Sequence, residues 1–168
     1  FYNRGKEQFV LERYENAIKD YSEAINLNYK DEDYFFWRGR AKVNLKKYSE
    51  AILDFEMGLA LVPESPKFYN SIGYTKSFLG DHEGALKYLN KAIDLDDSNH
   101  HYFFNRGVDY MCLRKYDYAL KDFTSAITLN HDFNANHFFY RGEANVRLGN
   151  LDNAKRDFNR ALSIDPEY

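Results

Sequence analysis

His82 and Glu83 stand side by side, the opening of a His-Glu-x-x-His pattern in which two histidines one helical turn apart hold zinc and the glutamate serves as general base. The second histidine's position is Leu86, so the pattern fails. Asp96, Asp97, His100 and His101 bring metal-ligating side chains into one short stretch. No cysteine or second cluster joins them, and a solvated turn accounts for their polarity. Cys112 is the sole cysteine, and no histidine stands in register with it to draw off the thiol proton. No glycine-rich loop could cradle a phosphate. The expectation is a non-enzyme with no catalytic residues, no cofactor and no metal.

A second set of charges is regular. Arg4, Arg38, Arg106 and Arg141 are each followed sixteen residues later by an aspartate, Asp20, Asp54, Asp122 and Asp157. Where the rhythm continues without arginine, at Ile72, the partner position is Tyr88, so both charges vanish together. Losing one member of a deeply buried ion pair costs roughly 3–5 kcal/mol, and far less at the surface, which explains joint loss. The spacing predicts ion pairs Arg4–Asp20, Arg38–Asp54, Arg106–Asp122 and Arg141–Asp157. Pairing each aspartate with the next arginine would instead set Asp54 against Ile72 and Tyr88 against Arg106.

These charges ride on a repeat that covers the chain. Gly5, Gly39, Gly73, Gly107 and Gly142 are spaced by 34 residues, with 35 in the last step, and an alanine follows each twelve positions later at Ala17, Ala51, Ala85, Ala119 and Ala154. The extra residue falls in the polar stretch His131-Asp132-Phe133-Asn134, where a loop absorbs it cheaply. Apolar residues four before each glycine (Phe1, Phe35, Tyr69, Phe103, Phe138) and six after it (Leu11, Leu45, Leu79, Leu113, Leu148) lie on one helical stripe, helix A. Gly80 and Gly149, or pairs such as Lys46-Lys47, mark the break. Helix B opens with capping or acidic residues such as Ser49-Glu50 and Asp117, and ends near Leu27, Leu61, Leu95, Leu129 and Ile164, with Pro63 and Pro166 beyond two of those ends. Small pairs such as Ala17/Ala24 and Ala51/Gly58 face helix A, so the repeated glycines are packing residues.

Large aromatic, glycine, alanine, aromatic and closing proline appear in full as Phe35, Gly39, Ala51, Phe55 and Pro63, with weaker copies elsewhere. This resembles the tetratricopeptide repeat, over essentially the whole chain. The resemblance implies an all-α solenoid of five antiparallel helix–turn–helix repeats in a right-handed superhelix, occupying 1–31, 32–65, 66–99, 100–133 and 135–168 of a single array. The sequence departs from the family in carrying arginine where leucine usually precedes the glycine, and in lacking the proline in copies one, three and four.

In that family the inner face of helix A lines a concave groove that holds a partner peptide. The matching positions are Tyr2, Asn3, Lys6; Phe36, Trp37, Arg40, Asn44; Asn70, Ser71, Tyr74, Phe78; Phe104, Asn105, Val108, Cys112; and Phe139, Tyr140, Glu143, Arg147. Such aromatics suit an apolar peptide anchor, or else some of these rings fill the seam between repeats. The family's clamp for the C-terminal tail of Hsp70 or Hsp90 is not matched. Tyr2 and Lys6 stand for its lysine and asparagine and Trp37 for its next asparagine, and in the later register Asn105 alone agrees. The expected partner is a protein segment other than such a tail.

Composition is consistent with this. Net charge is −3 with dispersed Lys and Arg, which weighs against nucleic acid. No run approaches a membrane span, while one cysteine and no glycosylation acceptor lean towards a reducing, cytoplasmic setting. Phe1 already lies inside a repeat, so the chain reads as part of a longer protein. Its last helix B is expected to expose Phe158 and Leu162, which would favour self-association through an uncapped end. Three functions fit: a scaffold binding a peptide in the aromatic groove; a structural spacer in a large assembly, such as a ciliary or organellar one, using outer helix-B faces with Glu23, Asp54 and Glu56; or a regulatory array of a larger enzyme.

Overall fold

A computed structural model describes residues 1–130 and 134–167, and the described residues form ten α-helices and no strand. They are α1 (Tyr2–Val10), α2 (Tyr14–Leu27), α3 (Glu32–Asn44), α4 (Tyr48–Leu61), α5 (Pro66–Phe78), α6 (His82–Leu95), α7 (His100–Cys112), α8 (Tyr116–Leu129), α9 (Ala135–Arg147) and α10 (Leu151–Ile164). Two compact units result, Phe1–Asp81 with α1 to α5 and His82–Tyr168 with α6 to α10. Odd-numbered helices carry the repeated glycine, and within each unit every helix packs on the next. Most of the stretch expected to absorb the extra residue, 131–133, lies outside the described residues.

The turn between the paired helices recurs in each repeat. One residue takes a left-handed conformation: Glu12 (φ 56°), Lys46 (φ 59°), Gly80 (φ 78°), Arg114 (φ 58°) and Gly149 (φ 78°). The next N–H then returns to the helix end, as in Arg13 to the Gln8 carbonyl at 2.8 Å and Lys47 to the Lys42 carbonyl at 2.9 Å.

Side-chain caps open three odd-numbered helices, where Asp31, Asn99 and Asn134 accept from the N–H two residues on. Ser49 does not cap α4. Lys47 holds the cap position without a side-chain bond, and Glu50 offers its charge to the exposed N–H groups of the first turn.

Four of the five repeated glycines are notches for rings. A Cβ on Gly39 would lie 2.5 Å from Phe55 Cε1, on Gly107 2.7 Å from Phe123 Cε1, on Gly142 2.6 Å from Phe158 Cε1, and on Gly5 2.7 Å from Tyr21 Cε1. The sequence suggested packing against small residues on the opposing helix; at these four positions the aromatic ring of that helix also occupies the space a side chain would need. Gly58 likewise makes room for the Phe68 ring of α5, the following helix. Ala17, Ala51, Ala85, Ala119 and Ala154 are all buried, as is Gly73.

The helix-A stripe differs in detail from the expected one. Phe35 and Phe138 are buried, but in α5 and α7 the buried rings are Phe68 and Tyr102, one residue earlier than Tyr69 and Phe103. Phe1, Leu11 and Leu79 are exposed, whereas Leu45, Leu113 and Leu148 at the same C-cap position are half-buried. Phe158 is half-buried, its ring filling the Gly142 notch and meeting Phe139 at 5.6 Å, so of the expected pair only Leu162 is exposed.

Candidate binding faces of the two units

The arginines hold the repeats together. Arg38 Nε and Nη2 donate to the two oxygens of Asp54 at 3.0 and 2.7 Å, while Nη1 donates to Ser22 on α2 at 3.1 Å. Arg106 does the same with Asp122 at 2.8 and 2.7 Å and with Asn90 on α6 at 2.8 Å. One planar fork thus spans three helices, which a lysine could not do. Arg4 pairs with Asp20, and Arg141 with Asp157, which also accepts from Asn145. The Arg4 hydrogen bond holds the Asp20 carboxyl below its ordinary value, whereas burial lifts Asp122 against the pull of Arg106. Asp54 is buried and also meets Lys42 Nζ at 2.9 Å, so it is not part of an outer acidic face; Glu23 and Glu56 are exposed.

In the first unit, α1, α3 and α5 present two groups of rings. Trp37 lies 5.3 Å from Phe9 and 5.8 Å from Phe36, both edge-on, and Phe36 reaches the buried Phe68 at 5.7 Å. Tyr2, Phe36 and Trp37 are half-buried, so they serve the seam between helices as well as its surface. Tyr74 and Phe78 are 43% and 50% exposed and touch at 4.9 Å, with Phe78 stacked on Tyr48 at 5.2 Å. Burial, and Tyr48 beside it, raise the Tyr74 phenol above its ordinary value, with Arg40 opposing. Asn3, Lys6 and Arg40 are exposed, and Asn70 and Ser71 are half-buried. Asn44, at the end of α3, returns its amide to the Arg40 carbonyl at 3.0 Å.

In the second unit, Phe104 and Tyr140 meet edge-on at 5.4 Å over a core of Ala119, Phe123 and Ala144, joined by Val108. Phe139 turns instead to Tyr140 and Phe158. Asn105 is half-buried, and Cys112 is exposed. Glu143 and Arg147 complete the expected groove positions on α9. Burial and the charge of Asp109 raise the Cys112 thiol, which keeps it in the unreactive form.

Two polar pairings of this unit were not foreseen from the sequence, where His82 was weighed only as a zinc ligand. His82 Nδ1 lies 2.7 Å from Oδ1 of Asp109, a wholly buried side chain. Aligned copies have Tyr14, Tyr48 and Tyr116 at the first position and Ala41, Thr75 and Ala144 at the second, so the two residues deviate together, a signal available in the repeats. The other is that of His137, buried with Nδ1 3.1 Å from the Asn130 amide nitrogen, edge-on to His100 at 5.1 Å and tilted against Phe104 at 4.9 Å. Among the described residues no group of three or more His, Cys, Asp or Glu side chains stands close enough to hold a metal.

Family models described as the tetratricopeptide repeat match residues 2–66, 66–99 and 138–168. The chain belongs to the tetratricopeptide-repeat family. Its fold is shared with solved structures at low identity: MamA, TM-score 0.83 at 18% identity over 97% of this chain and 95% of that one. TTC0263, a thermophilic protein of the same family from Thermus thermophilus, gives 0.77 at 22% over 98% and 90%. YrrB, described as a TPR protein with an unusual peptide-binding site, gives 0.76 at 22% over 99% and 86%. In sequence, a 53-residue segment, 32% of this chain, is 42% identical to serine/threonine-protein phosphatase 5 of Homo sapiens and of Rattus norvegicus. The chain spans 11% of the length of these relatives. This repeat fold supports a protein–protein interaction scaffold. No described helix is long and apolar enough to cross a membrane.

Proposed function

We propose that this tetratricopeptide array is a non-catalytic scaffold that receives an extended segment of a partner protein on the faces of α1, α3 and α5. The observation that carries the reading is the pair Tyr74 and Phe78, half exposed where the rings of α1 and α3 are more deeply packed. Solvent-facing aromatics lose little conformational entropy when a partner covers them. YrrB, a protein of the same fold, is described as having a peptide-binding site, which supports the reading by analogy.

The test is affinity capture from a native lysate with the wild-type chain beside a Tyr74→Ser/Phe78→Ser variant, after circular dichroism shows both folded. These residues suit the test better than Trp37 or Tyr140, whose rings also fill the core. A partner captured by the wild type and lost by the variant supports the groove, and an unchanged set of partners refutes it.

A different observation favours a second contact on the outer side of helix B. Leu53, Met57 and Leu61, one turn apart on α4, are 62%, 56% and 38% exposed. Partners lost with Leu53→Ser/Met57→Ser but retained by the groove variant would support the spacer reading. The third reading, a regulatory array within a larger enzyme, draws on the 53-residue likeness to protein phosphatase 5.

A further inference from the structure

The cations of α1, α3 and α5 divide sharply by partner. Arg4 and Arg38 meet Asp20 and Asp54, and Lys42 Nζ lies 2.9 Å from Asp54 Oδ2. Lys67 Nζ lies 2.7 Å from Asp33 Oδ1 and Lys76 Nζ 2.8 Å from Asp81 Oδ2. Lys6 and Arg40 have no carboxylate partner among the described residues, and both lie at Trp37. The Arg40 guanidinium carbon is 4.9 Å from the Trp37 ring centroid, 5.2 Å from Phe9 and 5.8 Å from Phe36. Lys6 Nζ is 5.8 Å from the same Trp37 ring.

Ring faces attract a guanidinium without supplying a full negative charge. A carboxylate can therefore still add charge compensation and take two of its N–H donors at once. Arg40 is exposed, and none of the groove positions on these three helices is acidic although the chain's net charge is −3. The groove positions themselves are therefore net positive, and Asp33, the acid that acts on Tyr2, is already paired with Lys67. This complementarity selects an anion, and the surrounding Trp37 and half-exposed Tyr74 select apolar groups beside it.

We propose that this face recognises an acidic peptide segment, an internal Asp or Glu carboxylate seated on Arg40 with its apolar chain neighbours on Trp37 and Tyr74. The proposal rests on the groove reading above. It commits to a side-chain carboxylate because the rings flank Arg40 on more than one side, giving the segment contacts both before and after the anchoring residue.

The probe is a displayed library of random short peptides, selected on the full chain and on Arg40→Gln and Arg40→Lys variants. Selection on the wild type is expected to enrich Asp or Glu beside aromatic or aliphatic residues. An enriched peptide, synthesised, should bind about tenfold more weakly to Arg40→Gln or when its acid becomes the amide, as expected for one charge-assisted hydrogen-bonded pair. Arg40→Lys should keep part of the affinity, now more sensitive to salt. Amidating the peptide's C-terminus should change nothing. Absence of acidic enrichment, equal binding to Arg40→Gln, or loss on amidation overturns the proposal. If the enriched peptides are neutral but are lost with Tyr74→Ser/Phe78→Ser, the groove stands and only the acidic assignment falls. If that double variant binds them unchanged, the groove reading itself fails.

Discussion

His82 on α6 and Asp109 on α7 are joined at 2.7 Å, and the carboxylate has no exposure to solvent. A charge so placed depends on its hydrogen-bonding neighbours. Aligned copies manage the contact with Tyr and Ala or Thr, which need no charge there. In a double-mutant cycle, His82→Tyr and Asp109→Ala are each expected to destabilise the chain, and together to cost less than their sum, with a coupling of about 1–3 kcal/mol. Urea unfolding measures it, and simple additivity would show that the two side chains act independently.

Gly39→Ala places a methyl 2.5 Å from Phe55 Cε1, on a ring only 1% exposed that has no room to swing away. Alanine's better helix propensity offsets about 1 kcal/mol of the clash, and overpacking of about 1–3 kcal/mol should leave a net loss. Adding Phe55→Leu, which shortens the intruding group, should recover part of the melting temperature. Gly39→Ala as stable as the wild type would contradict the ring-notch account.

Arg106 reaches both Asp122 and Asn90, so Arg106→Ile strands a nearly buried carboxylate and unties α6 from α7. The expected loss is about 2–4 kcal/mol. Copying the third repeat's own solution, Arg106→Ile with Asp122→Tyr, should restore a substantial part, because no charge is then left without a partner. Chemical denaturation of the two variants decides this, and a double variant less stable than the single would refute it.

His137 sets an acid limit on stability. Burial first, and then His100 and His101, lower its pKa from 6.5 to about 4. The folded state therefore binds the proton less readily than the unfolded chain. Stability is intact above about pH 6.5, falls as the pH drops towards 4, and loses at most about 3 kcal/mol on this account. The Asn130 amide donates to Nδ1, which leaves no room for a proton on that nitrogen. Urea midpoints of the wild type should fall across this window more steeply than those of His137→Gln, and parallel curves would exclude His137 as the cause.

What the sequence determined by itself was the period and everything tied to it. Glycines and alanines at a fixed spacing specify paired helices, and the ends at Leu27, Leu61, Leu95, Leu129 and Ile164 agree with the structure because turn chemistry and apolar periodicity are local properties. The joint loss of arginine and aspartate in the third copy was also legible, since two residues that change together share a cause; the structure adds the reach of Arg38 and Arg106 to Ser22 and Asn90. Tertiary structure alone decided which ring of two neighbours is buried, as with Phe68 over Tyr69, because a small change in helix rotation moves either into the seam. It also decided that four of the glycines accommodate rings, that Asp54 is buried rather than outward, and that Arg40 lies against three aromatic rings with no carboxylate partner among the described residues. Those properties depend on what the neighbouring helix brings to the same space. A sequence period names the helix face, but only packing fixes which side chain of that face meets water.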